Sequence, residues 1–156
     1  MPPTVAFRFT TDTATIAIFD PARLSHRLDD SPDWWSITAD EVAEINQGNM
    51  LSFSTGSDGY FEVEVLVGSA LADTPPIESL IACDSGRIFI GPGEVIPSDG
   101  LPTTDEFGGR FLDVPSGVYR VQVSRPSAWS LQVSLLPSDN LAENHFHDSP
   151  RLNEVA

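Results

Sequence analysis

From Tyr60 to Val67 the chain alternates in a way that permits one local structure. Phe61, Val63, Val65 and Val67 fall on one side, with Glu62 and Glu64 on the other. A period of two cannot be laid on a helix, so the segment reads as a strand with one dry and one wet face. The same pattern marks strands at 5–9, 14–19, 50–54, 80–84, 87–90, 110–113, 118–124 and 129–135. In the last of these, Trp129, Leu131, Val133 and Leu135 form the inward set. Turn chemistry separates the strands, as at Thr55-Gly56-Ser57-Asp58-Gly59, Ser85-Gly86 and Pro115-Ser116-Gly117. About nine short strands with Gly- and Pro-bearing turns predict a mainly β protein, an antiparallel, jelly-roll-like β-sandwich.

Residues 20–48 interrupt this rhythm and read as a helical insert between two strands. Asp20 followed by Pro21 is a helix start. Thr38-Ala39-Asp40-Glu41 has capping-box spacing, with Gly48 as the stop. Residues 91–109 form a long Gly- and Pro-rich loop. Beyond Pro137 periodicity ends. The domain organisation expected is therefore a single sandwich over 1–137 carrying the insert, then a disordered acidic tail over 138–156.

Charge decides which partners are compatible. The chain has 23 Asp and Glu against 8 Lys and Arg, and all eight cations are arginine, for a formal charge of −15. Such a field repels nucleic acid and anionic membrane, so neither is expected as a ligand, and it suits a protein that covers something basic. Neither the opening Met-Pro-Pro-Thr nor any later run reads as a signal peptide or membrane span, so a cytoplasmic location is expected. Cys83, the one cysteine, sits in the apolar run 80–83 and reads as a small core side chain.

No motif spells out a catalytic chemistry. His145 and His147 form an H-x-H pair, but in a polar tail with no supporting scaffold, so no metal is assigned. No nucleophile elbow, helix-borne histidine pair or hand-type calcium loop is present, and no cofactor is expected. The reading is a protein without enzymatic activity.

Two stretches carry a resemblance. Over 81–123 a strand, a turn at Asp84-Ser85-Gly86, the strand Arg87-Ile88-Phe89-Ile90, a long loop and then Phe111-Leu112-Asp113-Val114-Pro115-Ser116-Gly117-Val118-Tyr119 follow in order. That order resembles the competence-nuclease inhibitor family of bacteria. Thr11-Asp12-Thr13 through Phe19-Asp20, and Arg27-Leu28 through Asp33-Trp34-Trp35, resemble an uncharacterised bacterial family to which an immunity role is ascribed. The helical insert departs from the inhibitor family. What the resemblance implies is a small β-sandwich that inhibits a protein.

The candidate partner-binding residues are Asp29, Asp30, Asp33, Trp34 and Trp35 on the insert, and Glu62 and Glu64 on the wet strand face. Carboxylates there would meet cations of a basic toxin or nuclease, with an indole as anchor. Arg120 and Gln122 are the residues expected to oppose the two glutamates. The bland alternative makes the tryptophans core and the acids solvated. Two functional alternatives stand beside it: a carbohydrate- or small-molecule-binding sandwich that stacks a ring on Trp34 or Trp35 and uses the 91–109 loop, and a structural or regulatory subunit whose acidity keeps it soluble.

Overall fold

The computed structural model describes residues 4–152. Residues 1–3 of the expected domain and 153–156 of the expected tail lie outside the described residues. Nine strands form two layers. They are β1 (Thr4–Thr11), β2 (Thr15–Phe19), β3 (Leu51–Ser54), β4 (Gly59–Val67), β5 (Ile77–Cys83), β6 (Arg87–Pro92), β7 (Arg110–Asp113), β8 (Gly117–Ser127) and β9 (Ser130–Ser138). A five-stranded sheet has the order β1-β4-β9-β8-β5 and a four-stranded sheet the order β3-β2-β6-β7. Pairing is antiparallel throughout except between β4 and β9, which run parallel.

The two sheets differ in how many faces they bury, and the sequence pattern differs with them. Alternate residues of both sheets, among them Phe61, Val63, Val65, Val121, Val133, Ile16, Ile18 and Phe53, fill one core between the layers. A second cluster lies on the outer side of the four-stranded sheet, where Ala17, Phe19 and Phe89 meet Leu24, Trp34, Trp35, Ile45 and Met50. Every residue of β2 is therefore buried, and it reads as an unbroken apolar run. The five-stranded sheet leaves its outer face largely open, so β4 alternates.

The insert supplies that second layer. A 3-10 turn (Pro21–Arg27) starts at Asp20, whose side chain accepts the Ala22 N–H at 2.9 Å, and a second covers Trp34–Ser36. Helix α1 (Thr38–Asn46) follows. Its capping box does not form. Ile37 is the N-cap, and Glu41 turns inward to accept the Ser52 hydroxyl at 2.6 Å. The sheet beneath the helix offers a buried donor, which draws the carboxylate away from the helix start.

The segment read as a disordered tail is a packed strap over its described part, residues 139–152. Asn144 bonds both the N–H and the C=O of Leu80, and also the Ile45 carbonyl, each at 2.8 Å. Phe146 packs into the second cluster, and Leu152 is buried. Local periodicity is lost because each anchor bonds to a different element.

Candidate functional site

The acidic insert is organised around one buried carboxylate. Glu44 of α1 is met by His26 Nε2 at 2.9 Å, Arg27 Nε at 2.8 Å and Asn49 Nδ2 at 2.7 Å. Burial pushes its pKa up, but the bonds from Asn49, His26 and Arg27 outweigh that and hold it below the ordinary glutamate range. Arg27 also reaches Asp30 at 3.0 Å and Asp40 at 3.4 Å, and lies 4.4 Å over the Trp34 ring. Asp30 is thus tied to the insert's own arginine. Asp29 and Asp33 are exposed, Asp33 in the left-handed conformation (φ 60°) that opens the Trp34 turn.

Trp34 and Trp35 are not surface anchors. They are 3% and 5% exposed, and the Trp34 indole N–H donates to the Pro97 carbonyl at 2.8 Å. Both belong to the layer that fastens the insert to the sheet. This burial goes against the expectation that either indole anchors a partner or stacks a sugar ring, and only Trp35 still borders a cleft. The cause is the second core: large apolar surface on a short insert stabilises most when buried against the sheet, and two indoles are its largest contribution.

Glu62 and Glu64 stand on the outer face of the five-stranded sheet, as the alternation predicts. Their neighbours are different from those expected. Register places Arg8 opposite Glu62, and Gln132 Nε2 bonds Glu64 at 3.1 Å. Arg120 lies instead 3.8 Å from Glu78, and Gln122 bonds that same glutamate at 2.8 Å. The strand order β1-β4-β9 separates β4 from β8, and a local pattern carries no strand order. The aromatic side chains here are Tyr60, bonded by Arg8 at 2.8 Å, and Trp129. Trp129 is 49% exposed in the turn before β9, tilted on Phe61 with ring centroids 5.7 Å apart, rather than inward. Gly59 makes this possible, since a side chain there would collide with the indole.

The two acid groups do not share a surface. The insert covers the outside of the four-stranded sheet, while Glu62 and Glu64 face out from the other sheet. The full thickness of the sandwich separates them.

Shallow clefts of about 530 and 500 Å³ lie on the Glu62 and Glu64 face, bordered by Arg8 and Gln132 and by Tyr60 and Trp129, and two more lie on the insert side. A polar one of about 620 Å³ is lined by Thr13, Asp33, Trp35, Glu41, Asp148 and Arg151, among others. Burial, with Asp148 nearby, pushes the Glu41 carboxyl above its ordinary range. A more apolar cleft of about 440 Å³ lies along residues 93–109 of the loop that the ligand-binding alternative invoked. Its sequence signal is the pair Leu101 and Phe107 among the polar and turn-forming residues 97–109. Among the described residues no group of three or more His, Cys, Asp or Glu is placed to hold a metal, and no helix is long and apolar enough to cross a membrane. Cys83 is buried, and burial raises its thiol.

A family of unknown function, DUF6386, matches residues 1–152, and the chain belongs to it. Two solved structures share the fold. One is described as crocagin biosynthetic gene J, at TM-score 0.56 and 22% identity, spanning 88% of this chain and 99% of its own. The other is ComJ from Bacillus subtilis, an inhibitor of the DNA degrading activity of NucA, at TM-score 0.57 and 11% identity over the same shares. At these identities the likeness is one of fold. No curated protein matches the chain.

Proposed function

We propose that this DUF6386 protein is a non-catalytic inhibitor or immunity protein that occludes a basic protein, a toxin or nuclease, in the cytoplasm. The observation that carries the reading is how the arginines are used. Arg27 serves Glu44, Asp30 and Asp40. Arg125 is buried against the carbonyls of Thr55, Ala128 and Leu152. Arg23 bonds Asn49 and Asp84, and Arg120 and Arg87 each lie by one carboxylate. Five of the eight arginines thus have acids or carbonyls of the chain itself as partners, while the chain as a whole carries a net charge of −15. ComJ, of the same fold, inhibits a nuclease activity, which supports the same direction.

The mechanism is occlusion. Exposed carboxylates stand where a nuclease's cationic cleft expects phosphate, and the field steers encounter at up to about 10⁸ M⁻¹s⁻¹ at low salt. The candidate contacts are Asp29, Asp30 and Asp33 on one face and Glu62 and Glu64 on the other. Because these faces are opposed, a compact partner uses one of them. The test is stopped-flow association with a purified basic partner, comparing D29N/D30N/D33N with E62Q/E64Q. One variant should slow association about tenfold at low salt and flatten its salt dependence, while the other changes it little. If both associate like the parent chain, the electrostatic mechanism fails.

A further inference from the structure

The loop between β6 and β7 combines two properties that seldom meet in a solvated acidic loop. It is fastened to its neighbours from Glu94 to Gly100 and abuts Phe9 at Gly108, and it holds large apolar side chains outward. Glu94 accepts the hydroxyls of Thr11 at 2.7 Å and Thr13 at 2.5 Å, and the Asp12 N–H at 2.9 Å. Pro97 receives the Trp34 indole. The N–H groups of Asp99 and Gly100 donate to the carbonyls of Asp30 and Leu28, both at 2.7 Å. Thr103 Oγ1 donates to the Val95 carbonyl at 2.9 Å. At the far end Gly108 (φ +109°) lies so close to Phe9 that a Cβ would come within 2.8 Å of that side chain. On this fixed frame Leu101 is 67% and Phe107 73% exposed.

Between these two side chains runs the cleft of about 440 Å³, floored by Pro92, Val95 and Ile96. Asp12 and Glu94 stand at its rim, and no arginine lines it. Asp99, Asp105 and Glu106 are exposed on the same loop, and among the described residues none of them meets an arginine. The surface continues onto the insert, because the Asp99 N–H is bonded to Asp30. A groove that is apolar inside, acidic around and fastened on its Glu94–Gly100 side matches an apolar side chain flanked by cations.

We propose that this groove docks a basic segment of the protein partner. One Leu-sized or aromatic side chain seats between Leu101 and Phe107, and neighbouring Arg or Lys residues meet Asp12, Asp99, Asp105 and Glu106. The proposal rests on the basic-partner reading and names its surface. It favours the insert side over Glu62 and Glu64. The acidic rim supplies encounter, and the apolar seat supplies selection among basic partners, which charge alone does not.

The test uses the full chain, ¹⁵N-labelled, and two blocked peptides: acetyl-Arg-Arg-Leu-Arg-Arg-amide and its twin with serine at the centre. At low salt the leucine peptide should shift the amide signals of Asp12 and of residues 93–109. It should bind about tenfold more tightly than the serine peptide, the loss expected for one buried Leu side chain. The L101S/F107S variant should bind both peptides equally. Both substitutions fall on exposed side chains, so its thermal midpoint should stay within about 2 °C of the parent's. Equal affinity of the two peptides for the parent chain, or shifts centred on Glu62 and Glu64, would overturn the groove while leaving a basic partner standing. Absence of binding by either peptide at low salt would bring down both.

Discussion

Replacing Asp20 with Asn should destabilise the fold by about 4 kcal/mol, and the structure says why. The side chain is fully buried and accepts four hydrogen bonds. Oδ1 takes the Ala22 N–H at 2.9 Å and the Ser85 hydroxyl at 2.7 Å. Oδ2 takes the N–H groups of Asp84 at 2.7 Å and Ser85 at 2.8 Å. One carboxylate thus starts the insert and fastens it to the β5–β6 turn. Asparagine can keep the Oδ1 bonds, but its amide then points N–H at N–H, stranding two donors at about 1–3 kcal/mol each. For a chain of this size the loss amounts to about 8–16 °C in thermal midpoint.

The pH dependence is a second readout of the same residue. Burial pushes the Asp20 pKa up, but the bonds from Ser85, Ala22 and Asp84 outweigh it and hold the folded value below the ordinary one. A depressed carboxylate stabilises fully above its unfolded pKa and loses that contribution as pH falls through the folded value. Melting curves of the parent and D20N, followed by near-ultraviolet circular dichroism, should therefore lie far apart at neutral pH and converge in acid. A gap under about 1 kcal/mol, or one that acid leaves intact, would refute the role given to Asp20.

Two further perturbations test other parts of the fold. Asn144→Ala removes three side-chain bonds that hold the strap and should cost about 2–4 kcal/mol, with faster proteolysis confined to residues 139–152; uniform resistance would show that the strap is held elsewhere. Glu41 is raised, so its ionisation works against folding above its folded pKa, and this cost vanishes as pH falls below the unfolded value. Glu41→Gln keeps an acceptor for Ser52 and should raise the urea midpoint at neutral pH but not in acid; a lower midpoint at neutral pH would show that the charge is needed.

Legibility in the sequence followed how local each determinant is. Apolar patterning between turns depends on the strand alone, and all nine strands were readable from it, by alternation where one face is wet and as short apolar runs where both are covered. The unbroken run at Ile16 to Phe19 even carried the information that its sheet is covered twice. The site was less readable because its determinants are tertiary. Two adjacent indoles look alike whether buried or exposed until the surface beneath them is known, and Trp34 and Trp35 proved to be the second core. Trp129 is the converse, continuing an inward pattern yet turned out by a bend before β9 and the space over Gly59. Arg8 stands opposite Glu62 because β1 pairs with β4, a register between residues 54 positions apart that spacing cannot show. Leu101 and Phe107 stood out only once the loop that carries them was seen to be fixed.

The proposed function holds that the acidity serves inhibition of a basic protein. The most direct measurement uses the full chain as bait in lysate of the cells that make it, with elution across a salt gradient, and then titrates it into an activity assay of whatever it retains. One basic protein should be retained at low salt, released at high salt, and lose its activity at one equivalent of this chain. A retained protein whose binding ignores salt, or whose activity survives saturation, would contradict it.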